Sequence, residues 1–173
     1  MICPSCNTEN IPGADYCDSC GSDLHDLAHP EAEDEFSKHI VTDVIGAVDA
    51  DAPSPVAPGD PIGLVIHQMQ EDGVSAVLVK EDGELVGILT ERDVLLKAAG
   101  DNIDLNALAV RELMTPDPVI LHEDDTLAVA LHKMSVGGFR HIPIVANGEA
   151  NRIASVRDVV RHISPFIPQS SDA

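Results

Sequence analysis

Four cysteines near the amino terminus have the spacing of a metal site. Cys3 and Cys6 form one Cys-x-x-Cys pair, and Cys17 and Cys20 form a second pair after ten intervening residues. Two such pairs can bring four thiolates to one tetrahedral ion, which would stabilise a segment too short to have a core of its own. The spacing therefore predicts one structural zinc ion. Two disulfides and an iron site with four thiolate ligands are the alternatives.

Most of the remaining chain is an internal repeat. Residues 53–95 align without a gap with residues 118–160, at an offset of 65 positions, and eleven of the 43 aligned pairs are identical. At average residue usage, about two or three identities would be expected by chance. The repeat therefore indicates two copies of one structural unit.

Apolar spacing and turn residues predict the order β-α-β-β-α in each copy. In the first copy we expect a short strand at Val56, a helix with Asp60 as its N-cap and Gly73 at its end, strands at 74–79 and 85–89, and a helix from near Thr90 to Gly100. In the second copy we expect a strand at Leu121, a helix over 125–137 and a turn at 147–148, equivalent to a turn at 81–84 in the first. Short lead-in helices are expected at 41–45 and at 110–114. One copy is too small to bury both faces of its sheet. The copies should therefore pair about a pseudo-two-fold axis, with a ligand cleft between them.

The two repeated segments resemble the CBS domain family. They read GVSAVLVKEDGELVGILTERDVL at 73–95 and GFRHIPIVANGEANRIASVRDVV at 138–160. The resemblance implies tandem domains that bind adenosine-containing ligands in their clefts. The predicted fold class is α/β (α+β), with two β-α-β-β-α CBS repeats and a small zinc ribbon. The predicted domains are a ribbon at 1–24, an acidic linker at 25–40, CBS repeats at 41–100 and 101–165, and a disordered tail at 166–173.

The same resemblance assigns the candidate nucleotide-binding residues. In the family, a Gly-apolar-x-Ser/Thr-x-x-Asp/Asn segment holds the nucleotide, with its hydroxyl near phosphate and its carboxylate on the ribose. In the first copy Thr90 and Asp93 occupy these two positions and the glycine is Gly87. Ser155 and Asp158 occupy them in the second copy.

Three residues of the second copy distinguish its candidate site from that of the first. Arg152 stands at the position of the motif glycine, where it would either crowd the cleft or add a charge for phosphate. Arg140 and His141 stand where the family often places basic residues against ligand phosphates. These charges favour phosphorylated adenosine in the second site, whereas the complete motif of the first suits a neutral adenosyl ligand.

Each of these assignments has a structural alternative. Thr90 with Asp93, and Ser155 with Asp158, also have the spacing of helix capping boxes. The basic pair Arg140 and His141 can equally be a solvated surface pair. The repeated histidines, His67 and His132, are predicted to be structural or interface residues on helices.

The first 24 residues resemble short zinc ribbons that begin MxCPxC and end FCxxCGxxL. Tyr16 takes the aromatic place, Leu24 takes the final place and Gly21 follows the last cysteine. Asn7 stands where the second cysteine of such ribbons is usually followed by glycine. The resemblance supports a structural zinc site at Cys3, Cys6, Cys17 and Cys20.

Composition excludes several classes of function. Thirty acidic residues against ten basic ones give a net charge of −20, which makes nucleic acid a poor partner. No apolar run approaches the roughly 18 residues that span a bilayer, and the start lacks the pattern of a signal peptide. We expect a cytoplasmic protein with no membrane partner. The sequence holds no Ser-His-Asp arrangement and no phosphate loop with its lysine, so we do not expect an enzyme.

The predicted function is regulatory sensing of AMP, ADP or ATP, with the ribbon contacting a protein partner. Related modules also imply a homodimer, formed through helices that carry Ile66, Met69, Leu131 and Met134. The alternative is a dimerisation or adaptor protein whose cleft is empty or binds another adenosyl ligand, such as S-adenosylmethionine.

Overall fold

A computed structural model describes residues 1–11, 14–24, 35–97 and 104–167 of the chain. Its helices are α1 (Glu35–Thr42), α2 (Ile62–Asp72), α3 (Glu91–Lys97), α4 (Val110–Leu113), α5 (Leu127–Gly137) and α6 (Val156–Ile163). Its strands are β1 (Ala76–Glu81), β2 (Glu84–Thr90), β3 (Thr115–Pro116), β4 (Leu121–His122), β5 (His141–Ala146) and β6 (Glu149–Ser155), and short 3-10 helices lie at Ile45–Ala47 and Ser164–Phe166. Within the described residues, no helix combines the length and apolar composition that crossing a bilayer requires.

The sequence repeat is present in the structure at the same offset. Helices α2 and α5, strands β1 and β5, strands β2 and β6, and helices α3 and α6 each begin 65 residues apart. Gly73 and Gly138 end the equivalent helices α2 and α5, and both have φ 67°. This left-handed conformation costs glycine little because it has no Cβ. The mixed α/β class and the order of the later elements of each copy are confirmed, whereas Val56 forms only an isolated bridge with Val79 and not the predicted strand.

The chain divides into two compact units. The first consists of Met1–Asp49, Glu123–Arg140 and Val156–Ala173, and the second consists of Ala50–His122 and His141–Ser155. The second unit contains both sheets, in the orders β1-β2-β3 and β4-β5-β6. Its larger core contains Val65, Met69, Val77, Val79 and Leu89.

Tight turns join the long strands of each sheet as the sequence predicted. The first turn has Asp82 at φ 51° and Gly83 at φ 88°, and the second has Asn147 at φ 52° and Gly148 at φ 83°. Positive φ at both central residues matches the right-handed twist of a hairpin, and Asn-Gly and Asp-Gly sequences favour it. Both predicted hairpins are confirmed.

The starts of the predicted helices and strands need correction. Helix α2 begins at Ile62 with Pro61 in the N-cap position, whereas the Asp60 carboxylate accepts a hydrogen bond from Ala57 N at 2.8 Å. The cap of α5 is Thr126, whose hydroxyl accepts from Val129 N. Strand β1 begins at Ala76, because Val74 N donates back to Met69 O and closes the preceding helix. The predicted end of α3 at Gly100 lies outside the described residues.

Helix α1 begins at Glu35, within the span predicted as an acidic linker, whereas the sequence predicted a short helix at 41–45. It contacts α5 and α6 in the first unit. Asp43, just past α1, accepts hydrogen bonds at one carboxylate oxygen from His39, at 2.9 Å, and from His162 on α6, at 2.8 Å. The His39 ring also stacks on Phe166 at 3.5 Å between ring centroids. These long-range contacts, which periodicity does not encode, hold α1 in place.

Replacing Asp43 with alanine is expected to lower the free energy of unfolding by about 1 kcal/mol at neutral pH. Partial burial raises the Asp43 pKa, but hydrogen bonds from His162 and His39 lower it by a larger amount. The net pKa therefore lies below its ordinary value of 3.8. A depressed carboxyl pKa stabilises the fold above the unfolded value and loses that effect as pH falls through the folded value. The difference between the two proteins should therefore shrink as the pH falls below about 4.

Urea unfolding of both proteins across pH 3 to 7 measures this effect. The matched control is Glu71→Ala, which removes another histidine-carboxylate pair four residues apart. The His67–Glu71 pair is 3.4 Å long, and its side chains are 73% and 69% exposed. It should contribute nothing measurable. Equal losses for the two variants would contradict the structural role of Asp43.

Candidate functional site

The first 24 residues form two knuckles with the same backbone geometry, 14 residues apart. Cys3 N donates to Thr8 O at 2.9 Å and Asn7 N donates to Cys3 O at 2.8 Å. The bonds from Cys17 N to Ser22 O and from Gly21 N to Cys17 O repeat this pattern at 2.8 and 2.9 Å. Asn7 and Gly21 take the same left-handed position, at φ 57° and 70°. Asparagine tolerates this region better than most residues, which explains how Asn7 replaces the usual glycine.

The knuckles bring the four cysteine sulfurs together. All four Sγ atoms lie within 4.8 Å of one another. Cys3 Sγ is 3.6 Å from Cys20 Sγ, and Cys6 Sγ is 3.5 Å from Cys17 Sγ. A tetrahedral ion with metal–sulfur bonds of about 2.3 Å needs sulfur separations of about 3.8 Å. The four cysteines are free, and their arrangement fits one tetrahedral metal ion.

The sulfurs differ in how readily they ionise. Burial is the largest cause that raises the pKa of Cys3, to about 11. The pKa of Cys17 is lowered to about 6, first by the backbone N–H of Cys20, against an opposing effect of burial. The pKa of Cys6 is lowered chiefly by the Thr8 hydroxyl. A bound cation favours the thiolate form of every ligand, so binding would release the proton of Cys3.

The candidate residues of the first repeat lie where β2 passes into α3. The Thr90 hydroxyl lies 2.6 Å from an Asp93 carboxylate oxygen, and Asp93 N donates to Thr90 Oγ1 at 3.2 Å. Thr90 N donates to the same carboxylate at 3.1 Å. Lys97 Nζ lies 3.0 Å from the other oxygen. The capping box is therefore present, and Lys97 is a partner that the spacing of four residues from Asp93 could have indicated.

Gly87, the first residue of this motif, stands where another segment approaches closely. Gly87 pairs with Pro116 of β3. A Cβ at Gly87 would lie 2.7 Å from Met114 Sδ and 3.1 Å from Thr115 O. The glycine therefore admits the segment that enters the second repeat. Asp49 lies 65 positions before Met114 and is therefore its equivalent in the sequence repeat. The Asp49 side chain is 98% exposed.

Replacing Gly87 with alanine is expected to destabilise the protein by about 1–3 kcal/mol, because the added methyl group overpacks against Met114. Chemical denaturation measures the loss. The double variant Gly87→Ala with Met114→Ala should recover part of this loss of stability, because Met114 makes the closest contact with the added methyl group. Gly59→Ala is the matched control, because nothing lies within 4 Å of a Cβ at Gly59. A Gly87→Ala protein as stable as this control would contradict the argument.

The candidate residues of the second repeat divide between the two units. His141 and Ser155, together with Thr90 and Asp93, belong to the second unit, whereas Arg140 and Asp158 belong to the first. His141 begins β5 and is the backbone partner of Ser155 at the end of β6.

Two of these residues have partners outside the candidate set. His141 Nε2 lies 2.8 Å from Ser75 Oγ, a contact between the two repeats. Asp158 is buried, and one of its carboxylate oxygens accepts from Arg161 at 3.0 Å. Arg140 is exposed, as both the phosphate-binding and the surface-pair interpretations require. The repeated histidines differ: His67 is exposed, whereas His132 is partly buried and lies 3.4 Å from Ser5 Oγ.

Known proteins share the repeat region. CBSCBSPB3 of Arabidopsis thaliana, a CBS domain-containing protein, is 30% identical over 119 residues, which cover 68% of this chain. The chain spans only 21% of the length of that relative. The CBS-domain protein ATU1752 from Agrobacterium tumefaciens has a crystal structure with a TM-score of 0.60 and 32% identity, covering 65% of this chain and 90% of that one.

More distant structures share the fold and have been determined with ligands. CBSX2 in complex with AMP is 21% identical with a TM-score of 0.60, and the match covers 72% of this chain and 99% of that one. The CBS domain pair of MJ0100, in complex with 5-methylthioadenosine and S-adenosyl-L-methionine, is 20% identical with a TM-score of 0.62 and covers 70% and 96%. The family model of the CBS domain matches residues 41–100 and 110–165. The chain therefore belongs to the CBS domain family and carries two copies of its domain.

Proposed function

We propose that this protein is a regulatory module that senses adenine nucleotide, as AMP, ADP or ATP, and is not itself an enzyme. The observation that carries the proposal is the repeated strand-to-helix junction. Thr90 ends β2 and Ser155 ends β6, and an aspartate follows each hydroxyl three residues later, at Asp93 and Asp158. A helix start suits phosphate through its backbone amides and partial positive charge, and a carboxylate suits ribose hydroxyls. The AMP complex of CBSX2 supports this ligand class.

Ligand binding at these junctions would compete with the existing capping contacts. The Asp93 carboxylate would exchange the Thr90 hydroxyl for ribose hydroxyls, and Lys97 would remain to balance its charge. His141 would similarly release the Ser75 hydroxyl to contact phosphate. The capping and ligand-binding interpretations are therefore two states of the same residues.

In the proposed organisation, the ribbon at 1–24 binds one zinc ion and contacts a protein partner. An acidic linker joins it to CBS repeats at 41–100 and 101–165, with a short tail after them. We place the protein in the cytoplasm, because four cysteines without disulfides suit a reducing compartment.

Of the four residues that the sequence suggested for the homodimer contact, Ile66 and Leu131 are partly buried and remain candidates. Met69 and Met134 are buried in the chain's own packing, so they cannot form a contact between copies. Leu64 on α2 and Val136 on α5 are more than half exposed. Each of these exposed apolar positions is a further candidate for a contact between copies on its own helix. Light scattering at tens of micromolar protein tests the dimer.

Thermal unfolding with added ligands tests the proposed function. AMP, ADP or ATP at about 100 times its dissociation constant should add roughly 2.7 kcal/mol of stability. The alternative is an adaptor with an empty cleft, or one that binds S-adenosylmethionine as the MJ0100 domain pair does. Stabilisation by S-adenosylmethionine alone would favour that adaptor. No stabilisation by any of these compounds at millimolar concentration would overturn nucleotide sensing.

A further inference from the structure

Asn10 is the one polar residue buried within the described part of the ribbon, at 5% exposure. Its side-chain amide donates to Thr8 O at 2.8 Å in the first knuckle and lies 3.6 Å from Cys17 Sγ in the second. Its side-chain oxygen accepts from Asp18 N at 3.0 Å. A single carboxamide thus joins both knuckles and contacts one of the four sulfurs.

The internal symmetry of the ribbon shows that a polar residue is not needed for packing at this position. The residue 14 positions after Asn10 is Leu24, which is buried against Cys3 and Cys17. The backbone bond from Asn10 N to Met1 O and the bond from Leu24 N to Asp15 O are both 2.7 Å long. One knuckle is therefore closed by an apolar side chain and the other by a carboxamide.

Burying a carboxamide is unfavourable unless its hydrogen bonds are made, whereas burying leucine is favourable. The asymmetry between Asn10 and Leu24 therefore points to a role for the amide itself. An apolar residue can make none of the three contacts of this carboxamide, and the one that reaches the sulfur cluster is the contact with Cys17 Sγ. A hydrogen bond to a thiolate sulfur withdraws charge from it and fixes its direction, and such contacts around metal ligands commonly change metal affinity 10- to 100-fold.

We propose that Asn10 is a positioning residue of the metal site: its amide donates to the Cys17 thiolate and locks the two knuckles at the separation that one ion requires. This inference rests on the proposed metal site. The exposed sulfurs have hydroxyl neighbours instead, with Thr8 Oγ1 3.2 Å from Cys6 Sγ and Ser22 Oγ 3.1 Å from Cys20 Sγ. Asn10 thus contacts a sulfur on the buried side of the cluster.

The experiment compares the full-length protein with Asn10→Leu and Asn10→Asp. Leucine is the residue that the equivalent position already uses, so the ribbon can close without the amide. Aspartate keeps the shape and the acceptor for Asp18 N but lacks the N–H donors. Zinc affinity is measured by competition with a chelating dye, and Co²⁺ replaces zinc to report sulfur-to-metal charge transfer by absorbance. The control is Glu9→Leu, an adjacent exposed position.

Both Asn10 variants should bind zinc about 10- to 100-fold more weakly, with Glu9→Leu unchanged. Their Co²⁺ charge-transfer band should move to lower energy, because a sulfur without its hydrogen bond gives up charge more readily. Wild-type affinity, or weaker binding with an unshifted band in Asn10→Asp, would overturn the donor role. A wild-type protein that takes neither Zn²⁺ nor Co²⁺ would instead remove the metal site itself.

Discussion

Replacing Cys17 with serine should weaken zinc binding by about 100- to 1,000-fold. Structural zinc sites of four ligands contribute about 10–16 kcal/mol, so that one thiolate accounts for roughly 2.5–4 kcal/mol. The loss should unfold the ribbon, because its buried cluster is small: Cys3, Cys17 and Leu24, with Met1 packed against them. Two of the three are candidate metal ligands, so packing and metal binding would depend on the same side chains.

Elemental analysis after dialysis against a chelator measures bound metal, and limited proteolysis measures ribbon folding. Wild-type protein should carry one zinc per chain and resist cleavage before residue 24, whereas Cys17→Ser should lose both properties. Ser19→Ala is the matched control in the same knuckle, since Ser19 is exposed and is not a metal ligand. Stoichiometric iron in the wild-type protein would remove the zinc assignment. A Cys17→Ser protein that keeps its zinc would contradict the four-thiolate site.

Replacing Asp158 with asparagine is expected to reduce AMP affinity more than replacing Asp93. The second repeat has Arg140 and His141 at the positions that Ser75 and Ala76 occupy in the first. Hydrogen bonds to charged groups contribute roughly 1.5–3 kcal/mol each, which corresponds to about 10- to 150-fold in affinity. The second site should therefore bind phosphorylated adenosine more tightly. Replacing its ribose-binding carboxylate should then lower AMP affinity by the larger factor.

Calorimetry with AMP and with adenosine separates phosphate recognition from nucleoside recognition. Arg140→Gln should weaken AMP binding about 10-fold or more and leave adenosine binding unchanged. The control is Arg111→Gln, which removes an exposed arginine that is not a candidate binding residue. Because Asp158 is buried, the melting temperature of Asp158→Asn must be measured as well. If Asp93→Asn abolishes AMP binding while folded Asp158→Asn binds normally, the proposed asymmetry is reversed.

Features set by neighbouring residues were predicted best. The hairpin turns at Asp82-Gly83 and Asn147-Gly148 follow from local backbone preferences, and the structure confirms them. Helix starts were less accurate, because several nearby polar groups compete for the first amides. Asp60 has the composition of an N-cap, yet its carboxylate closes a turn with Ala57 instead.

Partners distant in sequence were not predictable. No local motif identifies His162 as the partner of Asp43, because the two residues are 119 positions apart. Ser75 is likewise an ordinary strand-edge serine until the second repeat brings His141 within 2.8 Å. These contacts depend on how elements pack and not on local preference.

The sequence by itself determined the 65-residue repeat and the four-cysteine cluster, since both are encoded in spacing along the chain. Only the tertiary structure decided which repeat each lead-in segment joins. Ile45 N donates to Asp125 O, at the helix start of the second repeat, and Val110 N donates to Asp60 O, at that of the first. Each lead-in segment thus pairs with the other repeat. The two helix starts offer the same carbonyl acceptors, so local sequence does not distinguish them. Ile45 and Val110 are fully buried in this arrangement. Removing their apolar side chains from water stabilises it more than the hydrogen bonds do.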